Sequence, residues 1–203
     1  MRKVIGILIM VICVAIYIIS MRGKVQSDKV NHGEDVATSV NSDKKIAQIE
    51  KKIDTAYPAK PTEVITIHNE LMKIFYGNIS TSESLEDYAR TIRKIYSTEL
   101  QSLNSLETQI QDLETEKEYI DATDITLVAS EVKEVYVLKD EKGQETKAEV
   151  NVMHTTNQGS LNRIYFLVNE DGVWKINAWE NQEAVNTSNT ESTSSVEEIK
   201  SEE

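Results

Sequence analysis

The sequence predicts an α+β domain in which three helices pack on a curved, four-stranded antiparallel meander. Three observations carry this. Apolar residues recur at helical spacing from Val64 to Leu113. At Asp121 the period shortens from 3.6 to 2. The alternating segments are then separated by short turns built around Gly143, Gly159 and Gly172, as in hairpins. Strands joined by hairpins run antiparallel, and helices must cover one sheet face to close a core.

The first helix is announced by Pro61 and Thr62. Its stripe is Val64, Ile67, Leu71, Ile74 and Phe75, and Gly77 stops it. Ser80 and Glu83 stand at capping-box spacing before a second stripe of Leu85, Tyr88, Ala89, Ile92 and Ile95. Ser97 or Thr98 opens a third helix, expected to run unbroken through Leu100, Leu103, Leu106, Ile110 and Leu113. In the first strand Ile125, Leu127 and Ala129 alternate, and Val135 and Val137 resume after a slip. The slip predicts a bulge near residues 130–133. The second alternation is Ala148, Val150, Val152 and His154. Arg163–Val168 forms the third strand. In the last strand Trp174, Ile176 and Ala178 are expected on one face, with Trp179 on the other.

Four segments surround and include this domain. Residues 1–22 begin with Arg2 and Lys3, followed by an uncharged run over residues 4–21. As a helix, that run spans about 27 Å, close to a hydrocarbon core of about 30 Å. It ends in bulky residues where a cleavage site wants small ones. The expectation is an uncleaved signal anchor in the cell membrane, single-pass, with the C-terminal domain outside the cytoplasm. Residues 23–56 read as a polar linker. Ile46, Ile49 and Ile53 there predict a short helix over 43–55, capped by Asp43 and laid against the domain. Residues 57–181 are the α+β domain. Residues 182–203, with six Glu and one Lys, read as a disordered acidic Ser/Thr/Glu tail.

Charge limits the partners. The whole chain carries −12, and residues 57–181 hold 22 acidic and 12 basic side chains. Phosphate backbones are bound by Lys and Arg that replace counterions, so nucleic acid is not an expected partner. An anionic lipid surface is disfavoured in the same way. The expected partners are the membrane, through residues 4–21, and a protein of the cell envelope. The single cysteine, Cys13, lies in the apolar run, so no internal disulfide is possible.

The closing hairpin, Asn169-Glu-Asp-Gly-Val-Trp-Lys-Ile176, resembles those of the cystatin-like, nuclear-transport-factor-two-like superfamily. The resemblance covers Tyr57–Glu180. The Tyr57-Pro58 and Pro61-Thr-Glu-Val64 pattern, followed by Tyr76-Gly77-Asn78, also resembles uncharacterised membrane-anchored families of Gram-positive bacteria. The resemblance implies a cone-shaped cavity between sheet and helices. It transfers no activity, because that fold hosts enzymes and inert binding modules alike.

No residue set amounts to a catalytic, cofactor or metal site. His154 shares parity with Val150 and Val152, so it is a candidate cavity-lining residue together with Tyr165 and Trp174. A general base needs a partner that fixes its tautomer, and the sequence names none. His68 is expected at the edge of its helix stripe, and His32 in the linker. The three histidines are too scattered for zinc. No phosphate loop or EF-hand spacing occurs. Asn78-Ile-Ser80 and Asn186-Thr-Ser188 match the glycosylation sequon, a pattern common by chance. Trp179, read as outward-facing, is the candidate partner surface. The function this implies is a membrane-anchored, extracytoplasmic interaction or ligand-binding module. The alternatives are a small-molecule enzyme using a cavity histidine, or a structural factor of the envelope.

Overall fold

The computed structural model describes residues 35–182 apart from Asn78 and Ser80, with side chains from Asn41 onward. Five helices precede four strands: α1 (Asp35–Thr55), α2 (Pro61–Phe75), α3 (Ser82–Arg93), α4 (Thr98–Leu103) and α5 (Leu106–Thr123), then β1 (Leu127–Lys139), β2 (Glu145–Thr156), β3 (Gly159–Glu170) and β4 (Val173–Gln182). The strands form one antiparallel sheet in the order β1-β2-β3-β4. The α+β class and the meander are therefore as expected. Among the described residues no helix is long and apolar enough to cross a membrane. The expected span at 4–21, the expected tail beyond Gln182, which itself ends β4, and both sequons' asparagines lie outside the described residues.

The helices differ from expectation in three places. The helix foreseen over 43–55 begins at Asp35. Asp43 does not cap it; its carboxylate accepts a hydrogen bond from Ser84 Oγ on α3. Second, α3 is capped by Thr81, whose Oγ1 accepts from Ser84 N–H, and not by Ser80. Third, the long third helix is two. Asn104 is extended, at φ −132° and ψ 130°. Ser105 then caps α5 by accepting from Thr108 N–H at 3.0 Å. A serine that can satisfy an orphan N–H competes with helix continuation, which is why the periodic leucines did not carry one helix through. Nothing in α4 is buried, and Leu103 is exposed.

The core lies between the helices and one face of the sheet. Val64, Ile65, Ile67 and Leu71 of α2 pack with Tyr88, Ile92 and Ile95 and with Val150, Val152, Tyr165, Leu167 and Ile176. Ile46, Ile49 and Ile53 of α1 belong to the same cluster. Lys94, at the end of α3, binds Asp54 at 2.7 Å and Glu50 at 2.9 Å, clipping α1 along its polar side. Tyr57, just after α1, donates its hydroxyl to the Trp174 carbonyl at 2.8 Å, and Lys175 lies over its ring.

The sheet contains the slip read from the sequence, a register shift between Val132 and Glu134. It also contains three not foreseen, two near the ends of β1, between Leu127 and Ala129 and between Leu138 and Lys139, and one in β4. Phe166 pairs with Ala178 and Leu167 with Ile176, leaving Asn177 as the extra residue. The outer edge of β4 is held there by residues 95–97. Ser97 N–H donates to the Ile176 carbonyl at 2.8 Å, and Ile176 N–H donates to the Ile95 carbonyl at 2.9 Å. Ser97 Oγ donates to Asn177 Oδ1 at 2.6 Å. An extra residue inverts facing beyond it. Trp179 consequently faces the helices on the same side as Tyr165, its register partner, rather than outward as the uninterrupted alternation implied.

Ile46 tests whether α1 is integral to the domain. Ile46→Ala is expected to cost about 2–5 kcal/mol, the range for truncating a fully buried aliphatic side chain. Urea denaturation of the full chain followed by tryptophan fluorescence measures it.

Candidate functional site

The helix-facing side of the sheet carries a polar and aromatic cluster beside Trp179. His154 of β2 sits opposite Ser130 of β1 and Leu161 of β3. Its Nδ1 lies 2.8 Å from Ser130 Oγ and its Nε2 lies 3.0 Å from the Tyr165 hydroxyl. Tyr165 in turn donates to Met72 Sδ of α2 at 3.6 Å. With the Tyr165 proton directed at Met72, the Tyr165 oxygen accepts from His154 Nε2, and Nδ1 accepts from the Ser130 hydroxyl. His154 is buried at the sheet's inner face rather than placed at a wet rim.

His68 joins the cluster from α2. It is buried, with its ring 5.0 Å from Tyr165 in an edge-on arrangement and 6.5 Å from Trp179. The register of α2 places it inward with Leu71 and Met72, deeper than the stripe's edge. Its Nδ1 has no hydrogen-bond partner, and neither has Oδ1 of the adjacent Asn69. The Asn69 side chain is the one neighbour that raises the His68 pKa. An unpartnered buried nitrogen is costly and rare, which marks this position.

Arg163 supplies the cluster's positive charge. On the inner face, it pairs across the sheet with Val152 and Asn181. It is half-buried, donates from Nε to Asn181 Oδ1 at 2.8 Å, and lies 6.0 Å from the Tyr165 ring centre. It forms no ion pair among the described residues. Burial, then Arg163, then His154 lower His68 to about 3. Burial followed by Arg163 lowers His154 to about 4. Both imidazoles are neutral at pH 7. Burial raises Tyr76 to about 12, with Arg163 opposing. Glu116 of α5 still meets solvent, but the protein around it raises its carboxyl, and Arg163 again opposes.

The expected site residues therefore divide. His154 and Tyr165 are hydrogen-bonded neighbours. Trp174 is buried elsewhere in the core and makes no ring contact or hydrogen bond with either. Trp179 lies against His68 and against Tyr96, at 5.9 Å, while 41% of its surface remains exposed. Sequence reading missed the roles of His68, Arg163 and Ser130. Alternation along β3 does place Arg163 and Tyr165 on one face, but a bulge in the neighbouring strand β4 decides which side Trp179 joins. Two grooves open at the surface, of about 510 Å³ between α1 and α2 and about 460 Å³ beside Tyr57 and Lys94. Neither is lined by His154, Tyr165, Trp174 or Trp179. Among the described residues no group of three or more His, Cys, Asp or Glu is placed to hold a metal.

A family model, described as Domain of unknown function (DUF6715), matches residues 1–179. The chain belongs to this family. The DUF6715 match ends at Trp179 and takes in the apolar N-terminal run together with all five helices. No curated protein matches the chain.

The two histidines make this DUF6715 domain acid-labile. Their folded pKa values, near 3 and 4, lie below the ordinary 6.5. Between those limits the unfolded chain binds more protons, so stability rises with pH there. The contribution is complete above about pH 6.5 and is lost as pH falls toward 4 and then 3. Thermal unfolding at pH 7 and pH 5 is expected to show a drop in Tm for the wild type. The drop should be smaller for the His68→Gln/His154→Gln variant.

Proposed function

We propose that the chain is a non-catalytic interaction module, held at the membrane by residues 4–21 with its domain outside the cytoplasm. The supporting observation is Trp179. The bulge at Asn177 turns it toward the helices, yet it is left substantially exposed against His68 and Tyr96. A large aromatic fixed on one side by other rings and open on the other is a typical anchor for a partner side chain. Arg163 and Asn181 flank it on the same face. Together they suit a partner presenting an apolar group next to a carboxylate. The neutral network of Ser130, His154, Tyr165 and Met72 lies behind the surface and meets it through the Tyr165–His68 ring contact.

One observation favours a second reading, a small-molecule enzyme. Ser130 and His154 have the spacing of a hydroxyl nucleophile and its base. The weakness lies in the base. A histidine held near 4 takes a proton poorly at neutral pH, and its other nitrogen is committed to Tyr165 rather than to a carboxylate. The interaction reading is the stronger.

A photo-crosslinking amino acid at position 179 of the membrane-resident full chain discriminates the two. One dominant protein adduct is expected, reduced at least about tenfold by Arg163→Gln, the loss of one charge-assisted contact at an interface. No adduct, together with a phenotype that depends on His154 and Ser130, would turn the case to the enzyme. Reaction of an Asn157→Cys variant, on a Cys13→Ser background, with a membrane-impermeant maleimide on intact cells tests the orientation, and labelling is the expected result.

A further inference from the structure

We infer that the free edge of β1 is an interface with a second copy of this chain, formed by antiparallel β1–β1 pairing about Val135. This goes beyond the Trp179 surface, which lies across the sheet on β4. Strand order leaves one side of β1 without a partner among the described residues, whereas β4 is covered by residues 95–97. Val128, Val135, Tyr136, Val137 and Leu138, all on β1, are exposed over 37–59% of their surface. A long apolar edge with unpaired N–H and C=O groups is a template for strand addition.

The chemistry of the strand selects its own copy as the occupant. Pairing with β2 shows which way each side chain points. Val132, Val135 and Val137 face Val152, Val150 and Ala148 on the helix side of the sheet. Glu134 and Tyr136 alternate with them on the other side, and Lys133 is the extra residue at the bulge. An antiparallel copy centred on Val135 sets Val135 against Val135. Because Lys133 is skipped, it sets Val132 against Val137. Six valines then form one continuous patch. On the outer side each Tyr136 meets Glu134 of the other copy. The same donor and acceptor already bond within the strand at 3.0 Å. Charge agrees. Residues 127–139 hold two Glu and two Lys, in a domain of net −10. Glu131 and Lys133 already pair within the strand at 2.6 Å, and Lys139 offsets Glu134, so the strand brings no net charge to the contact. This edge is where two acidic domains meet with least repulsion.

Single cysteines in the full chain, on a Cys13→Ser background and in detergent or native membranes, test the register. Val135→Cys is expected to oxidise to a covalent dimer. Glu131→Cys and Leu138→Cys should give at least about fivefold less, since the paired positions are then displaced by about 20 Å or more along the strands, beyond disulfide reach. Equal yields at the three positions, a peak away from 135, or capture of a different protein by the Val135→Cys variant would overturn the proposal. Sedimentation of the chain without introduced cysteines provides the second measurement. A dimer is expected, converted to monomer by Val135→Lys/Val137→Lys, whereas a wild-type monomer at about 100 μM would refute the interface, since even weak transient pairs assemble there.

Discussion

The clip between residues 95–97 and β4 is the constraint on which the rest of the arrangement depends. Two backbone hydrogen bonds at Ile176, and one side-chain bond to Asn177, hold an extra residue in the last strand. Without that residue, β4 would keep simple alternation and Trp179 would point away from the helices. With it, Trp174, Ile176 and Trp179 all belong to the inner side, and Trp179 reaches His68 and Tyr96. The clip also closes one sheet edge to other strands, which leaves β1 as the exposed one.

The inner face and the helix beside it carry titratable groups that burial shifts. Two imidazoles, three tyrosines and a carboxyl surround a single guanidinium, and each is shifted in the direction that burial dictates. Arg163 reinforces that shift for the histidines, since a nearby cation opposes their protonation. For the tyrosines and Glu116 it works against burial. The hydrogen-bond chain from Ser130 through His154 and Tyr165 to Met72 satisfies two of these groups, His154 and Tyr165, without using any charge. A buried network of this kind specifies one packing, because each member loses its partner if the others shift.

The class, the meander and the β1 bulge were legible because they depend on period and on turn residues, both local. The isoleucines of α1 were legible as a stripe laid against the domain, but the helix's start at Asp35 was not, since mostly polar and small residues precede the stripe. The break at Asn104 was hidden because Leu100, Leu103 and Leu106 keep helical spacing across it, and only the cap at Ser105 reveals the new start. His154 and Tyr165 were placed by alternation on adjacent strands. His68 and Trp179 were not, because their meeting requires the Asn177 bulge, and that bulge is imposed by a segment eighty residues earlier in the chain.

The way the chain enters the domain has a mechanical consequence. α1 is 21 residues long, about 31 Å of helix. Its three isoleucines sit in the core, and Lys94 grips the flank beside them through Glu50 and Asp54. A pull applied at Asp35 along the helix axis meets a packed helix. It loads three side-chain sockets and two ion pairs in shear, together, instead of peeling them apart one at a time.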